Sequence, residues 1–80
     1  MATASDWYVY VLRNGAGTTY TGIALDVAAR LNAHNAGTGA KFTRGRGPWS
    51  VIHMEGPLDH SDALRRELAI KKDRKFKAAL

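Results

Sequence analysis

The chain has 80 residues, and its 12 Lys and Arg against 7 Asp and Glu leave a net charge of +5. A chain this short makes one domain with a modest core and a stability of about 5 kcal/mol. No cysteine is present, which excludes disulfides, thiolate nucleophiles and cysteine-ligated zinc.

Residues 1–6 lack the charged start and apolar core of a signal peptide, and no apolar run is long enough to span a bilayer. The expectation is a soluble, cytoplasmic protein with a flexible N-terminus at 1–6 and a single domain over 7–80. Trp7-Tyr8-Val9-Tyr10-Val11-Leu12 has the β-branched and aromatic composition of a strand buried on both faces. Asn14-Gly15-Ala16-Gly17 is a turn, and Thr18 to Ile23 a return strand. This hairpin brings Tyr10 and Tyr20 onto neighbouring strands.

Asp26 is an N-cap, and a helix follows from Val27 to Ala36 until Gly37 to Gly39 stop it. Val27, Leu31 and His34 share one face, with Arg30 between them. Arg30 and His34, four apart, are neighbours on the helix surface. Their ordinary roles would be an arginine lying over the core edge and a histidine bonded to a backbone carbonyl. Thr38 to Pro48 is a glycine-rich loop carrying Lys41, Arg44 and Arg46 beside one aromatic, Phe42. Phe42 either stacks on a nucleic-acid base or anchors the loop to the core, and anchoring is the favoured expectation. Trp49 to Glu55 reads as a third strand, ended by Gly56-Pro57.

Asp59 or Ser61 opens a second helix that runs through Lys71 or beyond. Ala63, Leu64, Leu68 and Ile70 form its apolar side, with Arg65 and Arg66 turned outward. Glu67 falls next to or within that stripe, where a carboxylate costs desolvation energy unless a cation or metal compensates. Lys71 at i+4 offers an ordinary helix ion pair worth about 0.3 to 0.5 kcal/mol. The tail from Asp73 to Leu80 is a basic turn or short helix docked through Phe76 and Leu80. The cations concentrate in the loop and in Arg65, Arg66, Lys71, Lys72, Arg74, Lys75 and Lys77. A surplus of this size points to a polyanion, most often nucleic acid. The C-terminal run by itself is equally a solvated helix surface.

Tyr8-Val9-Tyr10, Tyr20-Thr21-Gly22, Arg30, His34 and Glu67, in that order, resemble the GIY-YIG nuclease domain. Ala40 to Trp49 and the run LRRELAIKK resemble its small stand-alone group. Tyr8 stands where the signature has its first glycine, and Thr21 where it has isoleucine. The resemblance implies an α+β fold with a three-stranded, mostly antiparallel sheet in the order β-β-α-β-α, with room for extra short helices. It further implies a DNA endonuclease that uses one Mg²⁺ or Mn²⁺ held by Glu67. Arg30 would contact the scissile phosphate, and Tyr10 would take the proton of the attacking water. Tyr20 would orient it or serve as alternative base, and His34 would add a polar function. Lys41, Arg44, Arg46 and Lys71 would bind the nucleic acid. Single-stranded, duplex and branched DNA all remain open as substrates, and a protein partner or a homodimer could supply specificity.

Two alternatives belong to other classes: a nucleic-acid-binding module of the same fold that cleaves weakly or not at all, and a protein-interaction domain with a basic tail. Tyr10, Tyr20, Arg30 and Glu67 occurring together favour the enzyme, since a pure binder has no need of an acid near a basic site.

Overall fold

The computed structural model describes residues 6–80, so the expected flexible N-terminus, Asp6 apart, lies outside the described residues. Strand β1 (Trp7–Asn14) and strand β2 (Thr19–Ala24) form the predicted hairpin, and helix α1 (Val27–Ala36) follows. A single 3-10 turn at Lys41–Thr43 interrupts the loop before strand β3 (Trp49–Leu58), helix α2 (His60–Lys72) and helix α3 (Arg74–Ala78). The sheet order is β2-β1-β3 with both pairings antiparallel, so the fold is the expected α+β arrangement. Among the described residues no helix is long and apolar enough to cross a membrane.

Local chemistry accounts for most boundaries. In the hairpin the positive φ falls on Gly17, at 84°, while the Asn14 carboxamide oxygen accepts from the amides of Ala16 and Thr18. Asp26, Asp59 and Asp73 each cap a helix by accepting from the amide three residues on. Gly37 closes α1 in the left-handed conformation, φ 80°.

Because β1 is the central strand, Val9 to Leu12 are all buried, and successive side chains feed opposite layers. Tyr10 and Leu12 pack with Ala24, Val27 and Trp49 under α1. Val9 and Val11 pack with Ala63 and Ile70 under α2, where Phe76 and Leu80 dock the tail as expected. Tyr10 pairs across the hairpin with Gly22, and its ring lies over that glycine. A Cβ at Gly22 would sit 2.5 Å from the Tyr10 hydroxyl oxygen and 2.7 Å from Cζ.

Three details differ from the expectations. Strand β3 continues through Gly56-Pro57 to Leu58 with two irregularities of register. It is an edge strand, so the missing Pro57 amide removes no ladder bond. Gly56 takes φ 150° where a Cβ would meet the Trp7 carbonyl oxygen at 2.8 Å.

On α2, Leu64 and Leu68 are 43% and 54% exposed, and only Ala63 and Ile70 are buried. Arg66 turns inward instead. It grips Glu55 of β3 in bidentate fashion at 2.7 and 2.9 Å and lies 5.2 Å over the Phe76 ring. His53 donates from Nε2 to the same carboxylate at 2.6 Å and meets Phe76 edge-on. The third difference concerns Phe42, which is 46% exposed, while the neighbouring Thr43 is the residue buried.

The Arg66 bond, and secondarily the one from His53, hold the Glu55 carboxyl well below the usual carboxylate range, at about 2. A depressed folded-state value adds stability above the unfolded value of 4.5 and loses it as pH falls through about 2. With solvent screening allowed for, Glu55→Gln should cost about 1 kcal/mol at pH 7. Urea midpoints of variant and wild type should converge near pH 2. Gly22→Ala should cost about 1 to 3 kcal/mol in the same assay, because the Tyr10 ring has no room to retreat.

Candidate nucleic-acid cleavage site

The centre of the site is a hydrogen-bonded file running from the sheet through α1 into the loop. Tyr10 Oη lies 3.0 Å from His34 Nε2, and His34 Nδ1 lies 2.8 Å from Thr43 Oγ1. The Thr43 hydroxyl donates to the Ala40 carbonyl at 2.9 Å, which leaves its oxygen to accept from Nδ1–H. The Ala40 amide also approaches Nδ1, at 3.4 Å, but the 2.8 Å contact with a Thr43 hydroxyl already committed to Ala40 is the stronger and places the proton on Nδ1, so that Nε2 accepts from the Tyr10 hydroxyl. Tyr10, His34 and Thr43 are at most 1% exposed. His34 is therefore satisfied by two side-chain hydroxyls and not by the backbone carbonyl that α1 alone would suggest.

The local sequence makes this possible. His34 occupies the last turn of α1, and the reversal at Gly37 sends the loop back across it. Gly39 passes so close that a Cβ there would lie 2.5 Å from His34 Nδ1. The Asn35 carboxamide then fastens the start of β3, accepting from the Trp49 amide at 2.6 Å and donating to its carbonyl at 3.1 Å. The Trp49 indole N–H donates to the Thr43 carbonyl at 3.1 Å.

Tyr20 pairs with Leu12, one step along the same face from Tyr10, and its ring lies 5.0 Å from that of His34. Arg30 is exposed on α1, and Glu67 is a half-buried residue of α2. Both reach the phenol electrostatically. Burial raises the Tyr10 pKa, an Arg30 hydrogen bond and charge oppose this, and the charges of Tyr20 and Glu67 add to it. Burial first, and then the Arg30 charge, lower the pKa of His34 and favour neutral imidazole. The residues expected at the site, Tyr10, Tyr20, Arg30, His34 and Glu67, thus share one neighbourhood.

Lys71 does not join the loop cations. Its ammonium pairs with Glu67 at 3.4 Å. Lys41, Arg44 and Arg46 are exposed on the loop; Arg44 Nε donates to the Gly37 carbonyl and the Arg46 guanidinium stacks on Phe42. Sequence reasoning missed Thr43 and Asn35. Neither carries a periodic or compositional signal, because each matters only once the loop has folded back on α1.

Among the described residues no cluster of three or more His, Asp or Glu could enclose a metal ion. The donor set at Glu67 is one carboxylate, 19% exposed, with an ammonium 3.4 Å away. A lone, partly solvated carboxylate fits a hard cation that keeps most of its own water, as Mg²⁺ does.

Comparison with known proteins identifies the family and the fold. The GIY-YIG catalytic domain matches the chain over residues 6–78. A UPF0213 protein of Cupriavidus pinatubonensis is 44% identical over 90% of this chain and 80% of its own length. One of Halobacterium salinarum is 50% identical over 80% of this chain and 83% of its own. The solution NMR structure of a UPF0213 protein from Bacillus halodurans is 37% identical and superposes with a TM-score of 0.54, covering 91% of this chain and 78% of that one. With the catalytic-domain match spanning residues 6–78 and relatives at 44% and 50% identity, the chain belongs to the GIY-YIG nuclease domain family.

Proposed function

We propose that residues 7–80 act as one divalent-metal-dependent DNA endonuclease domain that hydrolyses phosphodiester bonds. The observation that carries this reading is the buried Tyr10–His34–Thr43 file, with Arg30 and Glu67 close enough to bias Tyr10. A purely binding surface has no use for a phenol aligned on the free nitrogen of a neutral imidazole.

The steps follow from the donors and acceptors. Water attacking phosphorus must lose a proton, and a phenol with a raised pKa cannot wait as phenolate at neutral pH. Tyr10 Oη takes the water proton as its own proton passes to Nε2 of His34. The resulting imidazolium is held in place by Nδ1–H donating to Thr43. Burial and Arg30 disfavour that cation, so the proton returns through Tyr10 once the products leave. Arg30 offers its fixed planar fork to the non-bridging phosphate oxygens. Tyr20, packed on the imidazole, keeps its ring in plane for the transfer. A divalent ion held by Glu67 would supply Lewis-acid relief of charge on the phosphate and on the departing 3′ oxygen. The Lys71 ammonium holds the same carboxylate before the ion arrives.

Cleavage of labelled single-stranded, duplex and branched DNA, with Mg²⁺, Mn²⁺ or EDTA, tests the reading. Glu67→Ala should abolish metal-dependent cutting while DNA affinity stays within about threefold. Arg30→Ala should lower turnover more than affinity, and Tyr10→Phe should lose more activity than Tyr20→Phe. Wild-type rates in Glu67→Ala would sink the assignment. The pH profile is a separate check. Cleavage should fall on acidification only below the ordinary histidine value of 6.5, where His34 Nε2 protonates and can no longer accept. A midpoint above the ordinary histidine value would contradict the relay.

A further inference from the structure

We propose that Phe42, backed by Tyr20 and capped by Arg46, is a stacking site for one unpaired nucleobase beside the phosphate that is cut. The inference rests on the nuclease reading and names the class of strand the site accepts.

The starting point is an inversion of ordinary burial. In the turn Lys41–Thr43 the chain buries the hydroxyl residue completely and leaves the phenyl ring 46% exposed. That ring is not loosely placed. It lies nearly parallel to Tyr20, with centroids 6.1 Å apart and planes at 21°, and Tyr20 in turn packs on His34. The column therefore leads from solvent to the imidazole that accepts from Tyr10. The Arg46 guanidinium sits 4.9 Å from the Phe42 centroid. A planar group thus already covers the ring, in the manner a base would.

The loop bearing the ring is fastened in several places. The Asn14 carboxamide donates to the Arg46 carbonyl at 3.0 Å, and the Arg46 amide donates to the Thr43 carbonyl at 3.2 Å. The Trp49 indole holds the same Thr43 carbonyl. A fixed aromatic surface loses little entropy when it receives a ligand. Lys41 and Arg44 flank it in sequence and are exposed, so cations stand ready for the phosphates on either side of the stacked nucleotide. Arg46 would swing from the ring to one of those phosphates as the base takes its place.

A base inside a duplex has both faces covered by its neighbours. Only a single strand, a frayed end or a flap offers a free face to Phe42. The site therefore selects for an unpaired nucleotide next to the scissile bond.

The experiment uses the whole chain in EDTA, so that strands bind without being cut. The probes are an oligothymidylate containing one 2-aminopurine, the same oligomer with an abasic position instead, and its duplex. Wild type should quench the 2-aminopurine and bind the single strand roughly tenfold more tightly than Phe42→Ala does. Phe42→Trp should retain both effects. Phe42→Leu, which keeps apolar bulk without a ring, should behave like Phe42→Ala. The exposure of Phe42 lets all three variants fold, which thermal melting verifies.

Equal affinity of wild type and Phe42→Ala for the single strand, or equal affinity of wild type for the abasic oligomer, overturns the stacking site. Either result leaves the nuclease reading standing, because cutting of the same oligomer with Mg²⁺ is scored separately. If wild type binds none of the probes in EDTA, the stacking site falls, and cutting of the single strand with Mg²⁺ still decides the nuclease reading.

Discussion

His34 is the side chain at which the layers of this small fold meet. An imidazole at 1% exposure is tolerable only if both nitrogens find partners, since an unpaired polar atom in a dry interior costs on the order of 1 to 3 kcal/mol. It finds one partner on the sheet and the other on the loop, and among the described residues no buried side-chain polar atom is left without a bond. Much else follows from that requirement. Gly22 must be bare so that the Tyr10 ring can lie across β2, and Gly39 must be bare so that the loop can pass the imidazole. Thr43 must be buried although it sits beside a phenylalanine that is not. The glycine-rich loop reads as flexible in sequence, yet its glycines serve close approach as much as freedom.

The two faces of the sheet do different work. Under α2 the contacts are apolar, and the ionic pairing is arranged to hold elements together: Glu55 fixes Arg66, Arg66 covers Phe76, and α3 is thereby tied to β3. Under α1 the apolar contacts surround a polar file. The charge arithmetic follows this division. Arg66 is occupied by Glu55, and Lys71 by Glu67, whereas Lys41 and Arg46 have no acid bonded to them among the ion pairs of the described residues. Positive charge without a carboxylate partner thus stands both on the loop beside the Tyr10–His34 file and on Lys72, Arg74, Lys75 and Lys77 of the C-terminal run.

Much of the fold was legible in the sequence because it rests on short-range chemistry. Asp26 and Asp59 announce their helices, the hairpin turn declares itself, and the unbroken apolar run of β1 marks a strand covered on both sides. The failures share a cause. Leu64 and Leu68 were expected inside by hydrophobicity, but α2 buries only Ala63 and Ile70, and the half-buried places beside them go to Glu67 and to Arg66, which a fixed carboxylate holds. Pro57 looked like the end of β3, which is true of a central strand and false of an edge. Phe42 and Thr43 exchanged roles because the environment of a loop residue is set by where the loop returns. At the site, order along the chain indicated Tyr10, Tyr20, Arg30, His34 and Glu67, whereas the partner that fixes the His34 tautomer could be seen only in three dimensions.

The opposed electrostatics of Tyr10 and His34 bear on why such a site needs both. Burial moves the phenol up and the imidazole down, so each is held in its neutral form, and a chain of neutral groups costs far less to bury than a phenolate beside an imidazolium. The site can therefore be dry and stable at rest. In the proposed relay, charge separation arises only while an anionic phosphate is present, when Arg30 has an anion to meet and the developing charge is distributed over several groups. Glu67 fits this scheme from the opposite layer. Its charge opposes ionisation of Tyr10 in the free protein, and any cation drawn to that carboxylate removes the opposition. In the proposed relay, resting stability and readiness to move a proton are thus set by the same few charges, and a single neutral file from the sheet to the loop serves both.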